Sequence, residues 1–161
     1  MFLTAKEFCT WCKSAPGTKS EEGRRAHSLL TRLYADALDL DELVKDDPDI
    51  ESKEAYARAS AGPFQYYSLQ FDPSEVPPEE HDSGDLADDV ADIYSDLSAR
   101  LALVDSGHMA AAQWEIRISF LTHLGRPASG AIRALYCWYV DAFVASIHIW
   151  HVRIRRRGYR S

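Results

Sequence analysis

Between Ser83 and Gly125 the chain reads SGDLADDVADIYSDLSARLALVDSGHMAAAQWEIRISFLTHLG, and this stretch constrains the fold more than any other. Leu86, Val90, Ile93, Leu97, Leu101 and Val104 recur in steps of three and four, which puts them on one face of a helix. Ser83 is the expected N-cap, with Asp85, Asp88 and Asp89 in the first turns, where carboxylates favour the positive end of the helix dipole. Asp85, Asp89, Asp92 and Asp96 form a second row on the flank of that helix. Asp105-Ser106-Gly107 then reads as a tight turn.

A second helix is expected from about His108. Met109, Ile116 and Phe120 mark one apolar side, and Trp114, Ile118 and Leu121 another, the pattern of a sandwiched helix. Glu115, Ser119 and His123 fall four residues apart between those sides, so they stack in one row. Buried polar groups need partners, because an unpaired buried charge is too costly to keep. Asp89, Asp92, Asp96, Glu115, Arg117 and His123 are therefore the candidate buried polar network.

Length and balance bound the rest. At 161 residues, 46% hydrophobic and 27% charged, the chain can bury one sizeable core and does not require two domains, so residues 1–161 read as a single helical domain. A formal charge of −7 argues against nucleic acid as the main partner and favours a basic one. Arg153, Arg155, Arg156, Arg157 and Arg160 form a basic tail at 153–161; setting those five charges aside leaves −12 for residues 1–152. Three cysteines, Cys9, Cys12 and Cys137, form no framework of spaced pairs, which fits a reducing compartment. The start, MFLTAKEFCTWCK, lacks the charged head and long apolar core of a secretory signal, and a cytoplasmic location is expected.

Further along, residues 3–13 read as a short helix that ends before Pro16-Gly17, and Thr18 or Ser20 caps a helix running to about Leu40. Cys9-Thr10-Trp11-Cys12 lacks the second ligand pair of a zinc site, so the thiols read as small apolar filling. The Asp-rich run LDLDELVKDDPDIE does not have the spacing of a calcium loop and reads as solvated, and residues 51–60 read as a short helix. From about 61 to 82 the chain reads as an aromatic-rich loop carrying Phe64, Tyr66, Tyr67, Leu69 and Phe71, expected to lie extended across the helices.

A last long helix is expected from about Ala128 to Arg155, with Pro127 in its first turn. Residues 134–152 are nearly all apolar, but Asp141 near their centre would cost about 2.5–3.5 kcal/mol in a bilayer, so no membrane span is expected. Trp138, Tyr139, Phe143, Ile147 and Trp150 exceed what one neighbouring helix covers, which makes this helix a candidate homodimer face. The pattern as a whole is an all-α bundle of five to six helices.

The run LADDVADIYSDLSARLALVDSG followed by QWEIRISFLTHLG resembles the bacterial family known as domain of unknown function 5063. Members typically carry an acidic DIYxDL helix, a turn, a WEWRxxF helix, an HWGxH element and an AxRALH helix. The likeness is best over residues 83–136, and it implies no chemistry. Where relatives tend to have His-Trp-Gly-x-His, this chain has His123, Leu124, Gly125, Arg126 and Pro127, and the later His is Tyr136. If the family's histidines serve a metal, two of the ligands are missing here.

Two function classes remain. The first is a non-enzymatic acidic interaction protein, in its specific form an immunity-type inhibitor of a basic toxin or enzyme domain, with Tyr66, Tyr67, Phe71, Asp85, Asp88, Trp138 and Trp150 as the candidate partner surface. The second is a metal- or carboxylate-dependent enzyme built on the Asp/Glu/His row. No nucleophile elbow and no phosphate-binding glycine loop occurs in the chain, and no cofactor is expected.

Overall fold

A computed structural model describes residues 1–40, 62–69 and 82–157, without the side chains of Asp82 and residues 146–157. The expected helix at 51–60, nearly all of the Asp-rich run, Phe71 and the side chain of Trp150 lie outside the described residues. In order, the elements are α1 (Phe2–Lys13), α2 (Lys19–Leu38), β1 (Tyr66–Leu69), β2 (Asp82–Asp85), α3 (Leu86–Asp105), α4 (Met109–Ser119), a π-helical turn (Phe120–Leu124) and α5 (Gly125–Arg157).

Local chemistry sets the helix ends. Thr18 caps α2 through a capping box: its hydroxyl accepts from the Glu21 amide, and the Glu21 carboxylate accepts from the Thr18 amide at 3.0 Å. Next to it the buried Glu22 carboxylate accepts from Trp11 Nε1 at 2.9 Å and from the Gly17 amide at 2.7 Å, fastening α1 to the start of α2. At the far end of α3, Gly107 adopts a left-handed φ of 89°. Its amide bonds the Val104 carbonyl while the His108 amide bonds that of Leu103, the paired bonds of a Schellman motif. The expected Asp105-Ser106-Gly107 turn is thus a glycine-dependent helix stop.

Three sequence expectations are corrected. Asp85, not Ser83, caps α3, its carboxylate accepting from the Ala87 and Asp88 amides. The residues before it are already engaged: β2 pairs antiparallel with β1, in a register that sets Tyr66 against Asp85 and Leu69 against Asp82. Tyr66–Leu69, inside the presumed aromatic loop, and Asp82 at its end are therefore strand. The second correction concerns α4 and α5, which form one continuous rod instead of two helices. The Gly125 amide bonds the Phe120 carbonyl five residues back, so the chain passes the expected break in a widened turn. That turn places the Phe120 oxygen only 2.7 Å from where a Cβ on Gly125 would sit, so glycine is required there. Pro127, which has no amide proton, is accommodated just beyond. Fusion of the two lowers the helix count to four rods among the described residues. Third, α4 is one-sided: Ile116 and Phe120 are buried, while Met109, Ile118 and Leu121 are exposed.

The four rods close a ring in which α1 lies beside α2 and α3, and the α4–α5 rod packs against α3 and α2. Phe8, Leu29, Leu30, Leu97, Ile116 and Leu135 fill the interior and are almost wholly removed from water. The all-α class expected from periodicity holds, with the two-stranded β1–β2 sheet laid across one end. Among the described residues no helix is long and apolar enough to cross a membrane.

Candidate functional site

The acidic flank of α3 is where the polar residues gather, and each position on it meets a different neighbour. Asp85 caps the helix and also accepts from Gln65 Nε2 at 3.1 Å. Burial works against its charge, but these hydrogen bonds prevail and hold its carboxyl below the usual range. Asp88, one helical turn on, is exposed.

Asp89 is different. Its carboxylate accepts a 2.6 Å hydrogen bond from the Tyr67 hydroxyl of β1. Partial burial raises its pKa to about 6; Tyr67 counteracts this, while repulsion from Asp88, Asp92 and Asp85 adds to it. Tyr67 in turn is pushed up by burial and by that carboxylate, so its hydroxyl stays protonated. Tyr67, expected on a partner surface, is half-buried, and its ring anchors β1 through the bond to Asp89. Tyr66, its neighbour on the strand, is 66% exposed and does face outward.

Asp92 is exposed, and burial together with Asp88 and Asp96 raises its pKa, while His123 lowers it. One turn further, Asp96 is the centre of a cross-helix cluster. Arg100, four residues on, donates Nη1 to Asp96 Oδ1 at 3.1 Å, and Ser119 Oγ and His123 Nδ1, the latter at 3.3 Å, both reach Asp96 Oδ2. Arg100 Nη2 also stands 3.6 Å from Glu115. The predicted network thus divides in two. Asp96, Glu115 and His123 come together, whereas Asp89 pairs with Tyr67 and Asp92 faces water.

Arg117 leaves the cluster and donates to the Leu40 carbonyl at the end of α2. Trp138, expected on a partner surface, is half-buried over Gly23 of α2, where an added Cβ would lie 2.8 Å from the ring. Arg100 was absent from the predicted set, although its i+4 spacing from Asp96 was a usable signal. The Tyr67–Asp89 contact had none, because twenty-two residues separate its partners.

Chemically, the arrangement presents two exposed carboxylates, Asp88 and Asp92, and an exposed imidazole, His123, oriented through Nδ1 by Asp96. Among the described residues no three His, Cys, Asp or Glu side chains converge as a metal site. Cys9 and Cys12 lie in the core, where burial pushes their thiols up to about 11 and about 12, so neither forms a thiolate at neutral pH.

Searches of curated proteins and of solved structures give no match to the chain. The family model for domain of unknown function 5063 matches residues 2–141, a span that takes in α1, the β1–β2 hairpin, the acidic flank and the π-helical turn. With most of its length covered by that one model, the chain belongs to the domain of unknown function 5063 family.

Proposed function

We propose that this protein is a non-enzymatic binding protein whose acidic α3 flank receives a basic protein partner, in the manner of an immunity-type inhibitor acting in the cytoplasm. The observation that carries the reading is the state of Asp88 and Asp92. Both are exposed, and among the described residues neither forms an ion pair. Carboxylates that repel one another on a rigid helix leave negative potential for a cation to satisfy, and such a field accelerates capture of a basic partner. Tyr66, exposed at the edge of the same surface, supplies an aromatic contact of the kind interfaces favour. On α5, exposed Tyr136 and Tyr139 support that helix as the candidate homodimer face.

Co-purification with the product of the neighbouring gene tests the main reading. A stoichiometric complex that weakens with salt, and that is lost when Asp88 and Asp92 are both changed to Asn while the circular dichroism spectrum is retained, is the expected result. A complex indifferent to both substitutions and to salt, or no complex, refutes it.

A carboxylate-dependent enzyme is the second reading, favoured by the orientation of His123, whose Nδ1 is held by Asp96 next to Asp92. It predicts that His123→Ala leaves melting unchanged while abolishing whatever turnover is found.

A further inference from the structure

The Tyr67 ring is seated between two glycines that come from different parts of the chain. A Cβ on Gly84, its neighbour across the β1–β2 pair, would overlap the ring, and one on Gly130 of α5 would lie 2.7 Å from the hydroxyl oxygen and 3.2 Å from Leu69. Beneath the ring, the hydroxyl donates to Asp89 at 2.6 Å. This one side chain therefore ties the hairpin to α3 and α5 together. We propose that Tyr67 and Asp89 form a proton-operated latch, which fastens the β1–β2 hairpin to the bundle more firmly when Asp89 is protonated.

The argument rests on what surrounds the carboxyl. Its neighbours on α3 are Asp88 and Asp92, with Asp85 at the junction of β2 and α3, all of them acids. From β1 it meets the Tyr67 hydroxyl, which stays protonated. His123 on the π-helical turn acts on Asp92. On α5, Arg126 and Arg133 stand one turn either side of Gly130, and both are exposed.

A closed hairpin thus holds Asp89 where the charged form is disfavoured, with its titration raised to about 6. With the hairpin lifted, the carboxyl regains water and titrates in the ordinary carboxylate range near 4. Closure therefore takes up a proton between those limits. Its stabilisation is complete below the open-state value and is lost as pH rises through the closed-state value. The hydrogen bond survives protonation, because a carboxylic acid still accepts through its carbonyl oxygen.

The latch stands whether or not the acidic flank binds a partner. NMR of the unliganded chain tests it through the amide signals of Gly84 and Gly130. Both are expected to titrate together with a midpoint near 6. Exchange protection of the β1 and β2 amides, corrected for intrinsic rates, should rise several-fold from about pH 7 to about pH 5; a titration moved from near 4 to about 6 allows at most about tenfold over that interval, and the partial solvent access of Asp89 reduces it. Asp89→Asn removes both effects. Tyr67→Phe keeps the ring and moves the midpoint upward, because the charged carboxylate loses its donor. A midpoint in the ordinary carboxylate range, or a titration that persists in Asp89→Asn, overturns the latch.

Discussion

Asp89 and Asp96 stand seven residues apart on one row of α3, two helical turns or about 10 Å along the axis. Opposite Asp96 the fold sets Arg100, Ser119 and His123, a cation, a hydroxyl and an imidazole that together satisfy the carboxylate. Opposite Asp89 it sets a single phenol among three more acids. One row, written with one residue type, thus ends in a register-fixing contact at one end and a strained, proton-sensitive one at the other. The difference comes from what each turn of the helix packs against, not from the helix itself.

Both ends depend on the apolar face they flank, so the largest expected effect breaks both at once. Ile93 lies between them, is 3% exposed and lines an apolar cavity with Leu33, Phe120 and Leu124. Ile93→Ala enlarges that cavity and should cost about 2–5 kcal/mol in denaturant unfolding. A loss under about 0.5 kcal/mol would remove Ile93 from the core.

Next in size is Arg100→Ala, which acts at the Asp96 end alone. Arg100 and Asp96 each keep about a fifth of their side-chain surface in water, 22% and 21%, so the pair is neither buried outright nor freely screened. Removing the guanidinium leaves Asp96 and Glu115 without their shared cation and should cost about 1–3 kcal/mol. An unchanged melt would show that Ser119 and His123 suffice.

At the other end, Tyr67→Phe should cost about 1 kcal/mol. The loss should be larger at neutral pH than at about pH 5, because the ionised carboxylate accepts a stronger hydrogen bond than the neutral acid does. Equal loss at both pH values would erase the distinction between the two ends.

How far this comparison was legible in the sequence follows from the range of each interaction. Periodicity placed Leu86, Val90, Ile93, Leu97 and Leu101 correctly, since burial of a helix face is written into consecutive turns. The Asp96 end was half legible: Glu115, Ser119 and His123 share a row by spacing, and a row of polar groups on the adjoining helix needs acceptors. The Asp89 end was not legible, because its partner arrives on a strand from a stretch that reads as loop. Strand β1 is only four residues long and alternates exposed with half-buried positions, too short a signal to separate from an aromatic loop. The fused rod was hidden for a different reason. Gly125 and Pro127 are residues that usually end helices, and the widened turn that carries the chain past them is defined by backbone geometry, which no side-chain pattern specifies.

The smallest expected effect lies between the two ends, at Asp92. As a member of a buried network, Asp92 should lose stability on conversion to Asn. Its position in the fold predicts the reverse. Burial and repulsion from Asp88 and Asp96 raise its titration, with only His123 opposing, so its charge is a mild liability to the fold. Asp92→Asn should leave stability unchanged or raise it by up to about 0.5 kcal/mol, the range of exposed charge pairs. It should also move the Asp89 titration downward, because one of the acids that repel Asp89 is gone. Chemical denaturation and a carboxyl-carbon NMR titration of the same variant separate the alternatives. A loss above about 1 kcal/mol means that Asp92 is held by a partner, whereas a lowered Asp89 titration with the fold intact means that the acids of this flank act on one another through their shared field.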